Sequence, residues 1–237
     1  MRRRRRPDIR PALQRLRLTA LADQTGTELR NSLLCIARLA ERRGTDSECH
    51  MYRVADISAV LAEKWGLSQL FCDDLRGSAL FHDIGKLEID PTVLEKPARL
   101  TGAERRRMDL HSAYGHAILC LWSSYGMAAE IALYHHEKWD GTGYPRGLKG
   151  DDIPVSARLV QVADIYDALR SKRPYKEPAS HEDACRVMTM GDDRIDPRRH
   201  FDPRLIELFG DHQELVGQVW GGFSPETTGC KEAGMFL

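Results

Sequence analysis

The sequence predicts an all-α protein built as a helical bundle. Apolar residues recur three and four positions apart through most of the 237 residues, and no segment shows the alternating pattern of a sheet. Capping signals stand at the boundaries of several amphipathic segments, such as the Thr101-Gly102-Ala103-Glu104 run with its capping-box spacing. A chain of this length buries one sizeable core, so we expect one main domain with modest extensions.

Three helices are predicted in the first third of the chain. Apolar spacing through Leu33 and Ala37 indicates a first helix that ends at Gly44. A second is expected to open near residues 45–47, where the residues are good N-caps, and to run up to Gly66. A third begins at about Ser68 and continues to the end of the sequence pair His82-Asp83.

The middle of the chain alternates helices with one long loop. The helix opened by Thr101 is expected to reach towards Trp122, with His111 in its middle, and another covers about 127–137. Residues 140–150 are rich in glycine and form a loop, and loops of this length are often functional. Pro154 then starts a strongly apolar helix that should lie at the centre of the bundle, where Asp164 is out of place.

Two shorter helices are expected near the carboxyl end, at 180–190 and from the Phe201-Asp202-Pro203 run to about 209. We therefore divide the chain into a basic arm with an N-terminal helical extension (1–44), a main domain (45–210) and a C-terminal tail (211–237). The extension is interpreted as a short helical prefix or a dimerisation element of a homodimer.

Composition is that of an ordinary globular protein, with 35 basic and 35 acidic residues and 42% hydrophobic residues. Arg2 to Arg6 form a basic run that could hold nucleic acid or anionic lipid, but a solvated arm is the favoured interpretation. No apolar stretch resembles a secretory signal or a membrane span, so we expect a cytoplasmic protein. The six cysteines form no C-x-x-C pair, which favours free thiols over disulfides or a zinc finger.

Histidines and aspartates stand at helix positions where apolar residues would be expected. A single buried histidine is usually explained by a hydrogen bond to a backbone carbonyl, but a set on separate helices is how bundles build polynuclear metal sites. An aspartate directly after a histidine could bridge two ions, which a two-metal hydrolase requires. The set comprises His50, His82, Asp83, His111, His135, His136 and Asp164.

The region from 46 to 203 resembles the HD-GYP branch of the HD phosphohydrolase superfamily. A bare His-Asp doublet would be weak evidence, but the ordered set of motifs is very specific. These motifs include His82-Asp83-Ile84-Gly85-Lys86, the run from His135 through Gly143-Tyr144-Pro145, Val162-Ala163-Asp164-Ile165-Tyr166-Asp167, Arg173-Pro174-Tyr175-Lys176 and Phe201-Asp202-Pro203.

The resemblance implies hydrolysis of cyclic di-GMP to the linear dinucleotide pGpG, and in some members onward to GMP, by a metal-activated hydroxide. It places His50, His82, Asp83 and Asp164 on one side of a cluster, and Asp83, His111, His135 and His136 on the other. Two or three divalent ions are implied, most commonly iron or manganese. Some members hold the third ion with a glutamate four residues before the first histidine, and that position here is Asp46.

The resemblance also implies the remaining roles. Asp83 and Lys86 are assigned to catalysis, and the Gly-Tyr-Pro loop is expected to bind diguanylate cyclase partners. The alternatives are a catalytically weak nucleotide sensor or protein-interaction module, an enzyme for cyclic GMP-AMP, and an HD hydrolase of another nucleotide. Substrate contacts are assigned to Lys86, Asp140, Tyr144, Arg173 and Lys176.

Overall fold

The computed structural model describes residues 26–43, 49–172 and 177–223. Within these ranges the chain is all-α, with three short 3-10 helices at Ile84–Glu88, Ser123–Tyr125 and Gly150–Asp152, and without a strand. The α-helices are α1 (Gly26–Arg43), α2 (His50–Lys64), α3 (Gln69–Ala79), α4 (Pro91–Leu94), α5 (Gly102–Met108), α6 (His111–Leu119), α7 (Gly126–Tyr134), α8 (Val155–Arg170), α9 (His181–Met190), α10 (Pro197–His200), α11 (Pro203–Asp211) and α12 (Gln213–Gly221).

Helix α8 lies at the centre of the bundle, as its sequence predicts. Its buried residues lie all round the helix, which is the pattern of a helix enclosed by others. Helix α8 packs against α2, α7 and α9, and α2 also packs against α3. The histidines and aspartates on these helices are therefore carried into one shared interior.

The predicted starts of three helices are confirmed, and each start has a capping residue. The Ser68 hydroxyl accepts a hydrogen bond from the Phe71 amide at the start of α3. Thr101 and Glu104 form the reciprocal capping box at the start of α5. Asp202 caps α11 by accepting from the Arg204 amide, so short polar residues fix these helix starts.

Helix α3 ends four residues earlier than expected, at Ala79 rather than Asp83. The Ala79 carbonyl accepts hydrogen bonds from the His82 amide and from His82 Nδ1, so it does not continue the regular helical ladder. A turn follows, and then the 3-10 helix Ile84–Glu88. This break directs the His82 and Asp83 side chains inward together. Helix α2 is described from His50, with Cys49 as its N-cap residue, and the N-cap residues predicted at 45–47 lie outside the described residues.

The single helix predicted from Thr101 towards Trp122 is two helices, α5 and α6. The break places His111 at the first position of α6 instead of mid-helix. Its Nδ1 donates to the carbonyl of Met108, the last residue of α5, at 2.7 Å. The His111 side chain thus takes the Met108 carbonyl, which a continuing helix would bond to a backbone amide.

The segment expected as a C-terminal tail contains helix α12, and Val216 on this helix is fully buried. Glycines at 217, 221 and 222 weaken the helix signal in the sequence, but packing on the core overrides propensity.

The arginine run at 2–6 lies outside the described residues. Among the described helices, none combines the length and apolar character needed to cross a membrane.

Candidate metal centre

The structure brings the predicted histidines and aspartates together in the core. Two groups of potential ligands form, and within each group the ligand atoms lie within 4.8 Å of one another. Asp83 belongs to both groups, which is the placement of a bridging carboxylate. The first group is Glu41, His50, His82 and Asp83, and the second is Asp83, His111, His135 and His136.

Asp164 lies at the edge of the first group. Its Oδ1 is 3.4 Å from His50 Nε2. Burial raises the pKa of Asp164, although His50 and His82 act in the opposite direction. A buried carboxylate of this kind gains from a cation, and Asp164 is within reach of the first group.

The histidine rings are oriented by hydrogen bonds from Nδ1. Because a carbonyl oxygen can only accept, each of these nitrogens carries the proton and leaves Nε2 with its lone pair free. The same arrangement orients metal-binding histidines in known sites. The donations are His82 Nδ1 to the Ala79 carbonyl at 2.9 Å, His111 Nδ1 to the Met108 carbonyl at 2.7 Å, and His135 Nδ1 to the Ile131 carbonyl at 3.0 Å.

His50 is oriented by a carboxylate instead of a carbonyl. Its Nδ1 donates to Asp167 Oδ2 at 2.7 Å, and its Nε2 lies 3.2 Å from His82 Nε2. Asp167 is fully buried and also accepts from the guanidinium of Arg53. Although burial opposes ionisation, hydrogen bonds from His50 and Arg53 hold the pKa of Asp167 well below its usual range.

Three buried atoms at the centre of the second group form no hydrogen bond with any described residue: Asp83 Oδ1, His111 Nε2 and His135 Nε2. They nevertheless converge, because the two imidazole nitrogens lie 3.2 and 3.8 Å from the carboxylate oxygen. Buried polar atoms without partners are costly, and a divalent cation among them would satisfy all three. Imidazole and carboxylate donors together suit iron, manganese or zinc. The residues therefore fit a metal ion.

Electrostatics favour the ligand forms of His135, His136 and Asp83, whereas the Asp83 carboxylate raises the pKa of His82 despite the burial of that ring. Burial, followed by repulsion from His82, lowers the pKa of His135 to about 3, and burial with repulsion from His135 lowers the pKa of His136 well below its usual value. Burial opposes ionisation of Asp83, but the Lys86 ammonium, 2.5 Å away, and then His82 hold the pKa of Asp83 well below its usual range. Neutral imidazoles and an ionised carboxylate are what a cation binds.

The loop at 137–150 is folded onto the second group by the buried carboxylate of Glu137. Its two oxygens accept from the backbone amides of Arg146 and Leu148, at 2.7 and 3.0 Å. A Cβ at Gly143 would lie 2.4 Å from the Lys138 amide nitrogen, so only glycine allows this close return. The Tyr144 ring consequently packs on His136, with 4.8 Å between centroids, and a cis peptide bond links Tyr144 to Pro145.

The predicted substrate residues are distributed unevenly around the cluster. Lys86 and Tyr144 adjoin it. Both carboxylate oxygens of Asp140 are used within the loop region, by Thr142 and by the Arg199 guanidinium. Arg173 and Lys176, together with the predicted ligand Asp46, lie outside the described residues, so their roles remain predictions.

Sequence reasoning missed two residues of the site, Glu41 and Asp167. Glu41 follows Leu33 and Ala37 at four-residue spacing and is buried with them, so its position on an apolar face was a signal in the sequence. Asp167 is one turn beyond Asp164 on the apolar helix α8. Each is a carboxylate at a core position, and such groups require a partner.

Comparison with known proteins agrees with this geometry. A family model described as HD domain matches residues 28–199. A Thermotoga maritima protein named cyclic di-GMP phosphodiesterase is 40% identical over 192 residues, which cover 80% of this chain and 51% of that protein. A Vibrio cholerae protein named 3'3'-cGAMP-specific phosphodiesterase 2 is 39% identical over 179 residues, covering 75% of this chain and 33% of that protein. The chain thus spans from a third to about half of these relatives.

The fold is also found in a solved structure. An HDG"Y"P protein from Bdellovibrio bacteriovorus superposes with a TM-score of 0.57 at 18% identity, over 87% of this chain and 70% of that one. At this identity the similarity is one of fold. Together with the family match and the ordered motifs, it leads to one conclusion: the chain belongs to the HD-domain family, in its HD-GYP branch.

Proposed function

We propose that the chain is a metal-dependent phosphodiesterase that hydrolyses cyclic di-GMP to pGpG. The observation that carries the proposal is the pair of ligand groups joined by Asp83. Glu41, His50, His82, Asp83 and Asp164 would hold one ion, and Asp83, His111, His135 and His136 a second. Bound divalent ions supply a Lewis acid for phosphoryl oxygens and make a water molecule nucleophilic at neutral pH.

Lys86 is proposed to neutralise charge on the phosphodiester. Its ammonium lies 2.5 Å from Asp83 Oδ2, and its side chain keeps 13% of its exposure, so it is held at the cluster without being sealed from a ligand. A cation there can contact a non-bridging phosphate oxygen while the bridging carboxylate remains ionised. Tyr144, packed on His136, offers a ring face and a hydroxyl to a nucleobase.

We further propose iron or manganese as the bound metal, with Asp46 as a candidate ligand for a third ion. Arg173 and Lys176 are proposed as phosphate and guanine contacts, and the Gly-Tyr-Pro loop as a surface for diguanylate cyclase partners. A cytoplasmic location is supported by the described cysteines, since Cys35, Cys49, Cys72, Cys120 and Cys185 are free thiols.

Cyclic GMP-AMP is the second candidate substrate, favoured by the 39% identity to the Vibrio cholerae protein named for it. Both candidates share the phosphodiester chemistry and differ in one base. A substrate comparison therefore tests the cluster's chemistry and its base preference separately.

The test uses purified full chain loaded with Mn²⁺, or with Fe²⁺ under anaerobic conditions, and separates products by chromatography. We expect cyclic di-GMP to give pGpG, faster than cyclic GMP-AMP gives its linear product, and chelation to abolish both reactions. Faster turnover of cyclic GMP-AMP would replace the substrate but keep the reaction. Tight nucleotide binding without product, at full metal content, would instead support a sensor.

A further inference from the structure

Helix α12 reaches the metal centre although it lies beyond residues 28–199, the part matched by the family model. The indole Nε1 of Trp220 on this helix donates to Asp167 Oδ1 at 2.7 Å. Asp167 is the residue that orients His50. We infer that Trp220 is a positioning residue for the first ligand group, acting through Asp167. This inference rests on the metal site proposed above.

The carboxylate of Asp167 distributes its two oxygens between different partners. Oδ2 accepts from His50 Nδ1 at 2.7 Å and from Ser171 Oγ at 3.1 Å. Oδ1 accepts from the Trp220 indole, and Arg53 bonds to both oxygens. A carboxylate with donors on both oxygens has its plane fixed, because rotation would break bonds on each side. The indole N–H therefore contributes to holding Oδ2 towards His50.

The position of His50 is what this chain of contacts determines. With its Nδ1–H bonded to Asp167, His50 directs Nε2 towards His82 Nε2 at 3.2 Å and Asp164 Oδ1 at 3.4 Å. An outer-sphere carboxylate on a ligating histidine fixes both its tautomer and its ring orientation. The sequence of contacts from Trp220 through Asp167 to His50 thus connects α12 to the proposed first ion.

Trp220 is itself held in place by two cations and by close helix packing. The Arg170 guanidinium lies 4.2 Å from the ring centroid, and that of Arg53 lies 5.3 Å from it. On the same helix, a Cβ at Gly217 would be 2.7 Å from the ring of His181 on α9. This contact brings α12 close to the bundle, so the indole N–H meets Asp167 in a defined orientation.

The experiment compares Trp220→Phe with wild type in the metal-free full chain titrated with Co²⁺, whose visible spectrum reports ligand geometry. Phenylalanine keeps an aromatic ring for Arg170 but has no N–H. We expect Co²⁺ affinity about tenfold weaker and an altered visible band, as for other outer-sphere changes. Trp122→Phe, which changes another partly buried tryptophan beside the 3-10 turn Ser123–Tyr125, should leave both unchanged.

A second variant separates positioning from general loss of packing. Asp167→Asn alters the shared acceptor, so the double variant with Trp220→Phe should lose less Co²⁺ affinity than the two single losses combined. Simple additivity, or wild-type affinity and spectrum in folded Trp220→Phe, would overturn this inference alone. Absence of Co²⁺ binding by the wild-type protein would overturn the proposed function as well. Circular dichroism of the metal-free variants verifies that each is folded.

Discussion

The backbone of Gly85 packs directly against the carbonyl oxygen of His111. A Cβ at Gly85 would lie 1.9 Å from that oxygen and 2.4 Å from the Gly115 amide nitrogen, both backbone atoms that cannot move aside cheaply. The 3-10 helix after His82-Asp83 therefore touches the first turns of α6. This approach brings Asp83 Oδ1 to 3.2 Å from His111 Nε2. The glycine that follows the doublet thus has a direct role in assembling the second ligand group.

Substituting Gly85 by alanine should consequently damage both stability and metal binding. We expect Gly85→Ala to lower the free energy of unfolding by about 3 kcal/mol, at the upper end of typical overpacking costs, and to reduce bound metal. Urea unfolding of the metal-free chain and elemental analysis of the loaded chain measure the two effects. Gly126→Ala is the control, since a Cβ there meets nothing within 4 Å. Equal behaviour of the two variants would contradict the packing argument.

Lys86→Ala should reduce turnover while leaving the metal in place. The lysine lies beside Asp83 but offers no lone pair when charged, so it is not proposed as a ligand. We expect kcat/KM to fall about 100-fold, the scale of losing one electrostatic contact to the transition state. Lys64→Ala, at the exposed end of α2, should retain full activity. Loss of metal in Lys86→Ala to the same extent as activity would assign the lysine to the cluster's structure instead.

Glu41 is a carboxylate of the first ligand group, whereas Asp46, proposed as a ligand for a third ion, lies outside the described residues. Glu41 is 3% exposed and offers an oxygen within 4.8 Å of the His50, His82 and Asp83 ligand atoms. We expect Glu41→Gln to lower the ratio of bound metal to protein, because the neutral amide is a weaker donor than the carboxylate. Elemental analysis of Glu41→Gln and Asp46→Asn measures this. An unchanged ratio in Glu41→Gln with a lowered one in Asp46→Asn would show that Asp46 holds metal and Glu41 does not.

The metal-free protein should lose stability as pH falls below about 6.5, the usual histidine pKa. Folded-state pKa values of His135 and His136 are depressed, so the unfolded chain binds protons in this window that the folded chain does not. Each histidine then contributes a slope of up to about 1.4 kcal/mol per pH unit. Although burial acts in the opposite direction, the Asp83 carboxylate raises the pKa of His82. The stability that His82 contributes is therefore lost only as the pH rises above this range.

Urea unfolding at pH 5.0 and 7.0 measures this dependence. Replacing His136 by asparagine should make the loss of stability with falling pH shallower. Only His135 of the two histidines then takes up a proton on unfolding. An equally steep decline in wild type and in the His136 variant would show that the His136 ring is not held neutral in the folded state.

Much of the fold could be predicted from local signals, because helix periodicity and capping depend on residues that are close together in the sequence. Ser68, Thr101 and Asp202 show this, each capping the helix that its sequence context indicates. The boundaries near the site could not be predicted in the same way. At Ala79 and Met108, histidine side chains bond to terminal carbonyls, and such competition depends on the position of the ring in the folded core.

The ligand histidines were predictable because several titratable residues interrupted apolar faces at once. Trp220 and Asp167 had no such joint signal, since their contact spans 53 positions and forms only when α12 docks on the bundle. Glu41 had a local signal, its place on the buried face of α1, but no nearby motif that indicated a metal ligand. Contacts between residues that are far apart in the sequence thus could not be predicted from the sequence alone.

The most direct test of the proposed function is turnover of cyclic di-GMP by wild type and Asp83→Asn, at equal concentrations of folded protein and with metal content measured in the same samples. Asp83 is the residue shared by both ligand groups. We predict that wild type forms pGpG, and that Asp83→Asn carries less metal and forms product at least about 1,000-fold more slowly. Wild-type protein that holds its full metal content and leaves cyclic di-GMP intact, or an Asp83→Asn variant with unimpaired turnover, would contradict it.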